Sequence, residues 1–186
     1  MLEYLLYLKL LWYNYPIGDN MPSKNALSAD NQQERLDWWI VGFVDGEGTF
    51  SVSFNKNSTT SSGYQVFPEF VITQGEKSLS VLESVKKRFQ CGKIYINKRK
   101  DNHKENLYRF TVRSLNDLQS IIIPFFQKNT LKSAKQNDFR SFVKVLNLMI
   151  DRKHLTNKGF NQIKQIAESM NRKQPRILRD YTPKAD

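Results

Sequence analysis

Apolar residues recur first with the spacing of a helix and then with that of a strand. Between residues 36 and 44 they return every three or four positions, which predicts a first helix over residues 31–45. Asp30 and Gln33 have the spacing of a capping box at its start. After Gly48 apolar and polar residues alternate, which predicts a half-buried strand.

The same two periods continue along the chain and predict a mixed fold. The elements expected after the first helix are a hairpin of residues 50–55 and 64–73, a helix over 79–89 ended by Gly92, a hairpin of 93–99 and 107–113, a short helix over 114–123 stopped by Pro124, and helices over 132–150 and 157–171. This order, α-β-β-α-β-β-α followed by C-terminal helices, indicates an α+β fold.

One domain with two tails is the expected organisation of the 186 residues. Residues 1–29 are expected to form an N-terminal extension and linker, residues 30–171 the domain, and residues 172–186 a basic C-terminal tail. The apolar start of the extension is interrupted by Glu3 and Lys9 and is too short to span a bilayer, so no membrane partner is expected.

The charge of the chain predicts a polyanionic partner. The formal net charge is +11, and 26 of the 29 Lys and Arg residues follow residue 50, together with only 11 of the 18 Asp and Glu residues. Nucleic acid or an anionic membrane surface fits this balance. The single Cys91 excludes an internal disulfide and a cysteine-rich zinc site, and it suits a reducing compartment.

Two glycines and two acids meet near the end of the predicted first helix. Gly42 and Gly46 lie four residues apart and leave a stripe on which another helix can pack closely. Asp45 and Glu47 put negative charge at a helix C-terminus, where the helix dipole disfavours it. If the same helix of a second copy packs on the stripe, both Glu47 carboxylates come together, and a divalent cation between them would relieve their repulsion. Such metals serve phosphate-ester hydrolysis.

The segment IVGFVDGEG, residues 40–48, resembles the signature of the LAGLIDADG homing endonucleases. The resemblance extends over residues 35–150, because the order αββαββα is also that of this family and residues 124–135 resemble its lysine-bearing segment. The chain departs from the usual pattern at Val41, where a small residue is common, and has Glu47 where many members have Asp.

This resemblance implies a site-specific endonuclease with a curved four-stranded antiparallel sheet that lies along the DNA major groove. Members with one motif act as homodimers, so the chain is expected to cut double-stranded DNA at a long palindromic or near-palindromic site, leaving short 3′ overhangs. Mg²⁺ is the expected cofactor, with Mn²⁺ or Ca²⁺ able to replace it for binding. An intron-encoded, intracellular protein of a chloroplast, a mitochondrion or a bacterial cytoplasm is implied. An RNA maturase that binds intron RNA and a nuclease-dead DNA-binding regulator are the alternatives.

The resemblance also implies roles for single residues. Glu47 corresponds to the metal-binding acid, and the Gly48 carbonyl to a further metal ligand. Gln74 corresponds to a polar residue that positions water, and Lys132, with Lys135 as the alternative, to a lysine near the scissile phosphate. Asp45 is expected to make local backbone hydrogen bonds at the helix end. The helix stripe expected at the dimer interface consists of Trp39, Gly42, Phe43 and Gly46.

Strand alternation assigns the side chains that would face DNA. Ile94 and Ile96 on the third strand, and Tyr108, Phe110 and Val112 on the fourth, are expected to be buried, which turns Thr111 outward unless a bulge reverses the fourth strand. The residues assigned to DNA contact are Ser51, Ser53, Asn55, Asn57, Gln65, Phe67, Glu69, Val71, Thr73, Lys93, Tyr95, Asn97, Lys98, Arg99, Arg109, Arg113 and Lys135.

Overall fold

The computed structural model describes residues 29–97 and 106–170. Contacts divide the chain into two units, residues 1–35 and 36–186; of the first unit only the start of a helix is described, and the remaining description concerns the second. The predicted N-terminal linker and C-terminal tail lie outside the described residues, as do Lys98 and Arg99. The domain limits at residues 30 and 171 therefore stay predictions.

The described elements follow the predicted order. They are α1 (Ala29–Glu47), β1 (Gly48–Lys56), β2 (Tyr64–Gly75), a 3₁₀ turn (Glu76–Ser78), α2 (Leu79–Phe89), β3 (Lys93–Asn97), β4 (Leu107–Val112), α3 (Leu115–Asp117), a π turn (Leu118–Ile122), α4 (Ile123–Lys128), α5 (Lys135–Ile150), a second 3₁₀ turn (Lys153–Leu155) and α6 (Asn157–Glu168). No helix in these two ranges is long and apolar enough to cross a membrane.

The four strands form one antiparallel sheet in the order β1-β2-β4-β3, which confirms the predicted α+β fold. Phe50, Phe70 and Val112 are aligned across β1, β2 and β4 on the face that the helices cover. Phe50 is the centre of this core, because its ring lies 5.1–5.5 Å from the rings of Phe70 and of three phenylalanines on α4 and α5. Aromatic packing thus holds α4 and α5 on one face of the sheet.

An ion pair joins α1 to α2. Arg88 on α2 donates from Nε to Asp37 Oδ1 at 2.6 Å and from Nη2 to Asp37 Oδ2 at 2.9 Å. Asp37 itself is buried, and a buried carboxylate requires such a partner. The pair raises the pKa of Arg88 and helps fix the direction of α1, whose C-terminal end carries the candidate site.

Several predicted element ends are wrong. Pro124 does not stop the short helix, because the wider π turn before it and its place in the first turn of α4 remove the need for its missing N–H. α2 is capped by Gln90, which has a φ of 54°, rather than ended by Gly92. α5 begins at Lys135 instead of Lys132.

Two side-chain predictions on the sheet are also wrong. Ile96 was expected in the core but is 46% exposed, because β3 is the edge strand and its end extends past the helices. Val71 and Thr111, expected to face outward and be available, are buried even though they lie on the outer face. An ion pair between Glu69 and Arg109 crosses the row that these two residues share, and so covers them.

Thr111 carries a buried hydroxyl that makes no hydrogen bond within the described part of the chain. Because an unpaired buried polar group costs free energy and valine has nearly the same shape, we expect Thr111→Val to raise the free energy of unfolding by about 1 kcal/mol. Urea denaturation measures this change. Thr49→Val, at an exposed position on the same face, is the control and should change stability little; a loss of stability in Thr111→Val would show that the hydroxyl has a partner.

Candidate functional site

The candidate site lies where α1 runs directly into β1. Glu47, the last residue of α1, is exposed, and Gly48, the first residue of β1, is buried. A Cβ atom at Gly48 would lie 2.6 Å from Val44 Cγ1 and 2.9 Å from the Val44 carbonyl oxygen. Only glycine therefore allows the chain to turn so sharply, and this turn presents the Glu47 carboxylate to solvent.

Asp45 connects the end of α1 to the loop before α5. Its Oδ2 accepts from the Lys132 N–H at 2.7 Å, and its Oδ1 accepts from the Ser133 N–H at 3.2 Å and from Ser133 Oγ at 2.7 Å. Burial alone would raise the pKa of Asp45. The hydrogen bonds and the positive charge of Lys135 lower it by more, so the net shift of the pKa is downward. Asp45 is thus structural, as predicted, but its partners lie almost 90 residues away instead of in its own helix end.

The loss of this carboxylate should loosen the loop. We expect Asp45→Asn to lower the free energy of unfolding by about 1–2 kcal/mol at pH 7, because the amide NH₂ would face the Lys132 and Ser133 N–H donors. Urea denaturation measures the loss. Asp151→Asn, at an exposed acid just after α5, is the control; an equal loss in both variants would mean that Asp45 has no special part in holding the loop.

Lys135 places its ammonium group on the end of α1. Its Nζ donates to the carbonyl oxygens of Val44 at 2.8 Å, Gly46 at 3.5 Å and Gly48 at 2.5 Å. Desolvation lowers the pKa of Lys135, while the negative charges of Asp45, Glu47 and Asp138 oppose this shift. Three backbone carbonyl oxygens and the nearby carboxylates therefore surround one positive charge at the helix end, that of the Lys135 ammonium group.

Lys132 is placed differently from the prediction that it is the lysine of the site. Its side chain is exposed, and its Nζ lies 5.9 Å from the centre of the Trp38 ring. It takes part in the site through its backbone N–H, which binds Asp45. Of the two lysines left open by the sequence, Lys135 is the one whose ammonium group the fold brings to the motif.

Gln74 lies at the correct end of the sheet for a role beside Glu47. It is half-buried near the end of β2, opposite Tyr108 on β4. Gly48 is opposite Ile72, two residues earlier on the same face of β2. Gln74 therefore lies at the end of the sheet where α1 enters β1. Lys135, which the sequence assigned to DNA contact, also lies at this helix end and not on the outer face of the sheet.

The donor set at the helix end fits a hard divalent cation, but only in part. Glu47 offers a carboxylate and Gly48 a carbonyl oxygen, the oxygen ligands that Mg²⁺ and Ca²⁺ prefer. Within residues 29–97 and 106–170 no three His, Cys, Asp or Glu side chains lie together as a metal site. If a cation binds here, one chain would supply only part of its coordination sphere, and waters, phosphate oxygens or a second copy would have to supply the rest.

The side of α1 that carries the predicted interface residues is largely exposed. Trp39 is 43% exposed and stacks on Phe43 with ring centres 5.1 Å apart. A Cβ atom at Gly42 or Gly46 would meet no atom within 4 Å. Trp39, Gly42 and Gly46 are thus exposed along one side of α1, with Phe43 half-buried beside them, and no packing among the described residues requires the two glycines.

The outer face of the sheet collects most of the residues assigned to DNA contact. Strand pairing places Ser51 beside Glu69, Ser53 beside Phe67, Asn55 beside Gln65, and Arg109 between Thr73 and Tyr95, with Lys93 and Asn97 on the same face of β3. Asn57 lies in the turn after β1 and donates from Nδ2 to Gln65 Oε1 at 3.4 Å. Val71 is on this face but buried, so its assignment as a base contact is wrong.

Two contributors to the site were missed from the sequence. Ser133 binds Asp45 through both its N–H and its hydroxyl, and Trp38 lies under the Lys132 ammonium. Neither shows a signal in its own neighbourhood, because both act on residues about 90 positions away. The one available hint was the position of Ser133 within the lysine-bearing segment.

Comparison with known proteins places these features in context. The family model described as LAGLIDADG endonuclease matches residues 40–146. A Neurospora crassa protein named "Probable intron-encoded endonuclease 2" is 33% identical over 132 residues, which are 71% of this chain and 26% of the relative. The chain thus spans about a quarter of that relative.

Solved structures agree in fold. The crystal structure of the homing endonuclease I-TnaI is 39% identical with a TM-score of 0.65, and the match covers 73% of this chain and 87% of that one. I-SmaMI, bound to an uncleaved DNA target in the presence of calcium ions, is 34% identical with a TM-score of 0.69, and the match covers 81% of this chain and 51% of that one. The described fold is therefore equivalent to most of the first chain and to half of the second.

Proposed function

Since the chain belongs to the LAGLIDADG endonuclease family, we propose that it is a homing endonuclease that cuts both strands of a long, near-palindromic DNA target and leaves short 3′ overhangs. The observation that carries this proposal is the exposed Glu47 carboxylate at the end of α1, beside two glycines at which a Cβ atom would meet no atom of the described residues within 4 Å. A carboxylate in that place serves neither helix stability nor packing, and a metal-dependent hydrolase needs one.

The active form in this proposal is a homodimer with α1 at the two-fold axis. Glycine in a helix costs about 0.5–1 kcal/mol relative to alanine. Because packing among residues 29–97 and 106–170 requires neither Gly42 nor Gly46, close approach of a second α1 accounts for both. The match to half of the I-SmaMI chain supports the same conclusion, since two copies would make up a unit of that size.

The proposed cofactor is Mg²⁺, held by Glu47 and the Gly48 carbonyl of each copy. The Gly48 oxygen accepts a hydrogen bond from Lys135, and a carbonyl oxygen has a second lone pair for a metal. The presence of calcium ions in the I-SmaMI complex supports a site for hard divalent cations. When bound, such a cation makes water a better nucleophile and stabilises negative charge on the leaving oxygen.

The side chains around the helix end would position the reacting groups. Glu47 binds the cation, and Gln74, near the end of β2, orients a water molecule. Lys135 neutralises charge that develops on the phosphate, a role that its position on the α1 carbonyl oxygens favours over Lys132. Asp45 holds the loop that carries Lys132 and leads to Lys135 at the start of α5.

The open face of the sheet would bind DNA in the major groove. It presents hydroxyl, amide and guanidinium groups in rows across four strands, and these groups can bind base edges. β1 has nine residues and spans about 30 Å at ~3.3 Å per residue. Each sheet therefore covers roughly nine base pairs at ~3.4 Å per pair, and two sheets define a long target.

A cleavage selection tests the proposal. The full chain is incubated with a library of long palindromic duplexes in Mg²⁺, in Ca²⁺ and in EDTA, and cut and bound molecules are sequenced separately. We expect one family of sites to be cut only in Mg²⁺ and to be bound, uncut, in Ca²⁺. Binding without cleavage in every condition would contradict the nuclease assignment and favour a DNA-binding regulator. The absence of both would favour intron RNA as the substrate and a maturase role.

A further inference from the structure

An acid lies in the centre of the surface that would face DNA. Glu69 is on the outer face of β2, and its side chain is 14% exposed. Its Oε1 accepts from Arg109 Nη2 at 2.5 Å and its Oε2 accepts from Arg113 Nε at 2.9 Å. Ser51 Oγ on β1 donates to Oε1 at 3.4 Å. Both carboxylate oxygens are therefore occupied by groups of the protein.

The strand register shows how this cluster is built. Glu69 pairs with Ser51 across β1 and β2, whereas Arg109 pairs with Thr73 further along β2. The Arg109 side chain must therefore cross the row formed by Val71 and Thr111 to reach Glu69, and both residues of that row are buried. Arg113 follows directly after β4 and reaches Glu69 from the other side.

The cluster leaves the two arginines available and the acid unavailable. The side chains of Arg109 and Arg113 are 39% and 56% exposed, against 14% for Glu69. Each guanidinium has five N–H donors in one plane, and the pairs with Glu69 use only a minority of them. Fixing that plane determines the direction in which the remaining donors point, as bidentate recognition of guanine requires.

We propose that Glu69 is a positioning residue that determines base specificity by holding Arg109 and Arg113 in fixed orientations. This inference rests on the proposed DNA-binding function of the sheet. Glu69 contacts no base; it lowers the entropy that the two arginines lose on binding the correct bases. Its negative charge also opposes attraction of the sheet to phosphates of any sequence, which keeps non-specific binding weak.

The variant Glu69→Gln, which keeps the size of the side chain and removes its negative charge, tests this role against two others. A base contact by Glu69 would change the preference at one base pair and leave the rest of the site intact. A merely structural role would lower the melting temperature and weaken specific and non-specific binding in the same proportion. A positioning role moves the two affinities in opposite directions.

The measurement is the affinity of the dimer for its selected target and for random duplex DNA in Ca²⁺ at several salt concentrations, with the base preference at each position. We expect Glu69→Gln to bind random DNA a few-fold more tightly and its target less tightly, so that the specificity ratio falls by about tenfold. Glu83→Gln makes the same charge change on an exposed position of α2, behind the sheet, and should leave the ratio unchanged.

A triple variant completes the test. With Arg109 and Arg113 both replaced by Gln, the further change Glu69→Gln should raise the affinities for the target and for random DNA by the same factor and leave the specificity ratio unchanged, because the charge acts on phosphates of any sequence and the two arginines that Glu69 positions are gone. An unchanged ratio in the single variant, or an effect that persists in the triple variant, overturns the positioning role. If the wild-type chain itself selects no DNA target, the proposed function fails, and that result is distinct from a specific wild type with an unaltered Glu69→Gln.

Discussion

Replacing Glu47 by glutamine is expected to slow DNA cleavage by about 10³-fold or more, equivalent to roughly 4 kcal/mol in the activation barrier. Glutamine keeps the size and the oxygen of the side chain but removes the charge that would hold a divalent cation. Because Glu47 is exposed and its side chain makes no hydrogen bond described in the structure, the change should leave the fold and the dimer intact. Single-turnover cleavage of the selected target measures the rate.

Binding separates this effect from a general loss of function. We expect Glu47→Gln to bind the target in EDTA about as tightly as the wild type, since the sheet is unchanged. Glu76→Gln, at an exposed glutamate in the 3₁₀ turn after β2, is the matched control and should cut normally. If the Glu47→Gln protein cuts at more than a tenth of the wild-type rate, Glu47 is not an essential metal ligand.

Gly42→Leu is expected to raise the dissociation constant of the dimer by about 10³-fold and to abolish cleavage with it. A leucine side chain on the stripe would separate the two copies of α1, and with them the two Glu47 carboxylates. Nothing in the described part of the chain lies within 4 Å of a Cβ at this position, so the variant should still fold. Circular dichroism tests folding, and sedimentation velocity measures the oligomeric state.

The matched control is Ser80→Leu, which adds the same side chain to an exposed position of α2. It should remain dimeric and active. If Gly42→Leu folds and remains dimeric over the same concentration range, α1 is not the interface, whatever the activity of the variant.

The elements of the fold were predictable because local sequence determines them. The helical spacing of residues 36–44 gave α1, and strict alternation after Gly48 gave β1 and β2. The ends of the elements could not be predicted in the same way, because residues distant in the sequence determine them. α5 starts late since the Lys132 and Ser133 N–H groups bind Asp45, 87 and 88 residues earlier. Ile96 is exposed because its strand is at the sheet edge, a position that follows from pairing order and not from period.

The candidate site was predictable in its motif and less so in its surroundings. The motif lies in one continuous segment, so Glu47 and Gly48 could be selected from sequence alone. Lys132 and Lys135 lie three residues apart, and the choice between them depends on how the start of α5 packs against α1. Val71 and Glu69 alternate correctly, but their availability depends on where the Arg109 side chain lies, and alternation carries no information about that.

The positions of the two cuts test the central claim most directly, namely that two copies of this chain cleave DNA about a common axis. The ends of both strands are sequenced after cleavage of a single selected target by the wild-type chain in Mg²⁺. We expect one cut in each strand, placed symmetrically about the centre of the target and leaving 3′ overhangs. A cut in one strand alone, a pair of cuts unrelated by symmetry, or tight binding of an intact target would contradict the account.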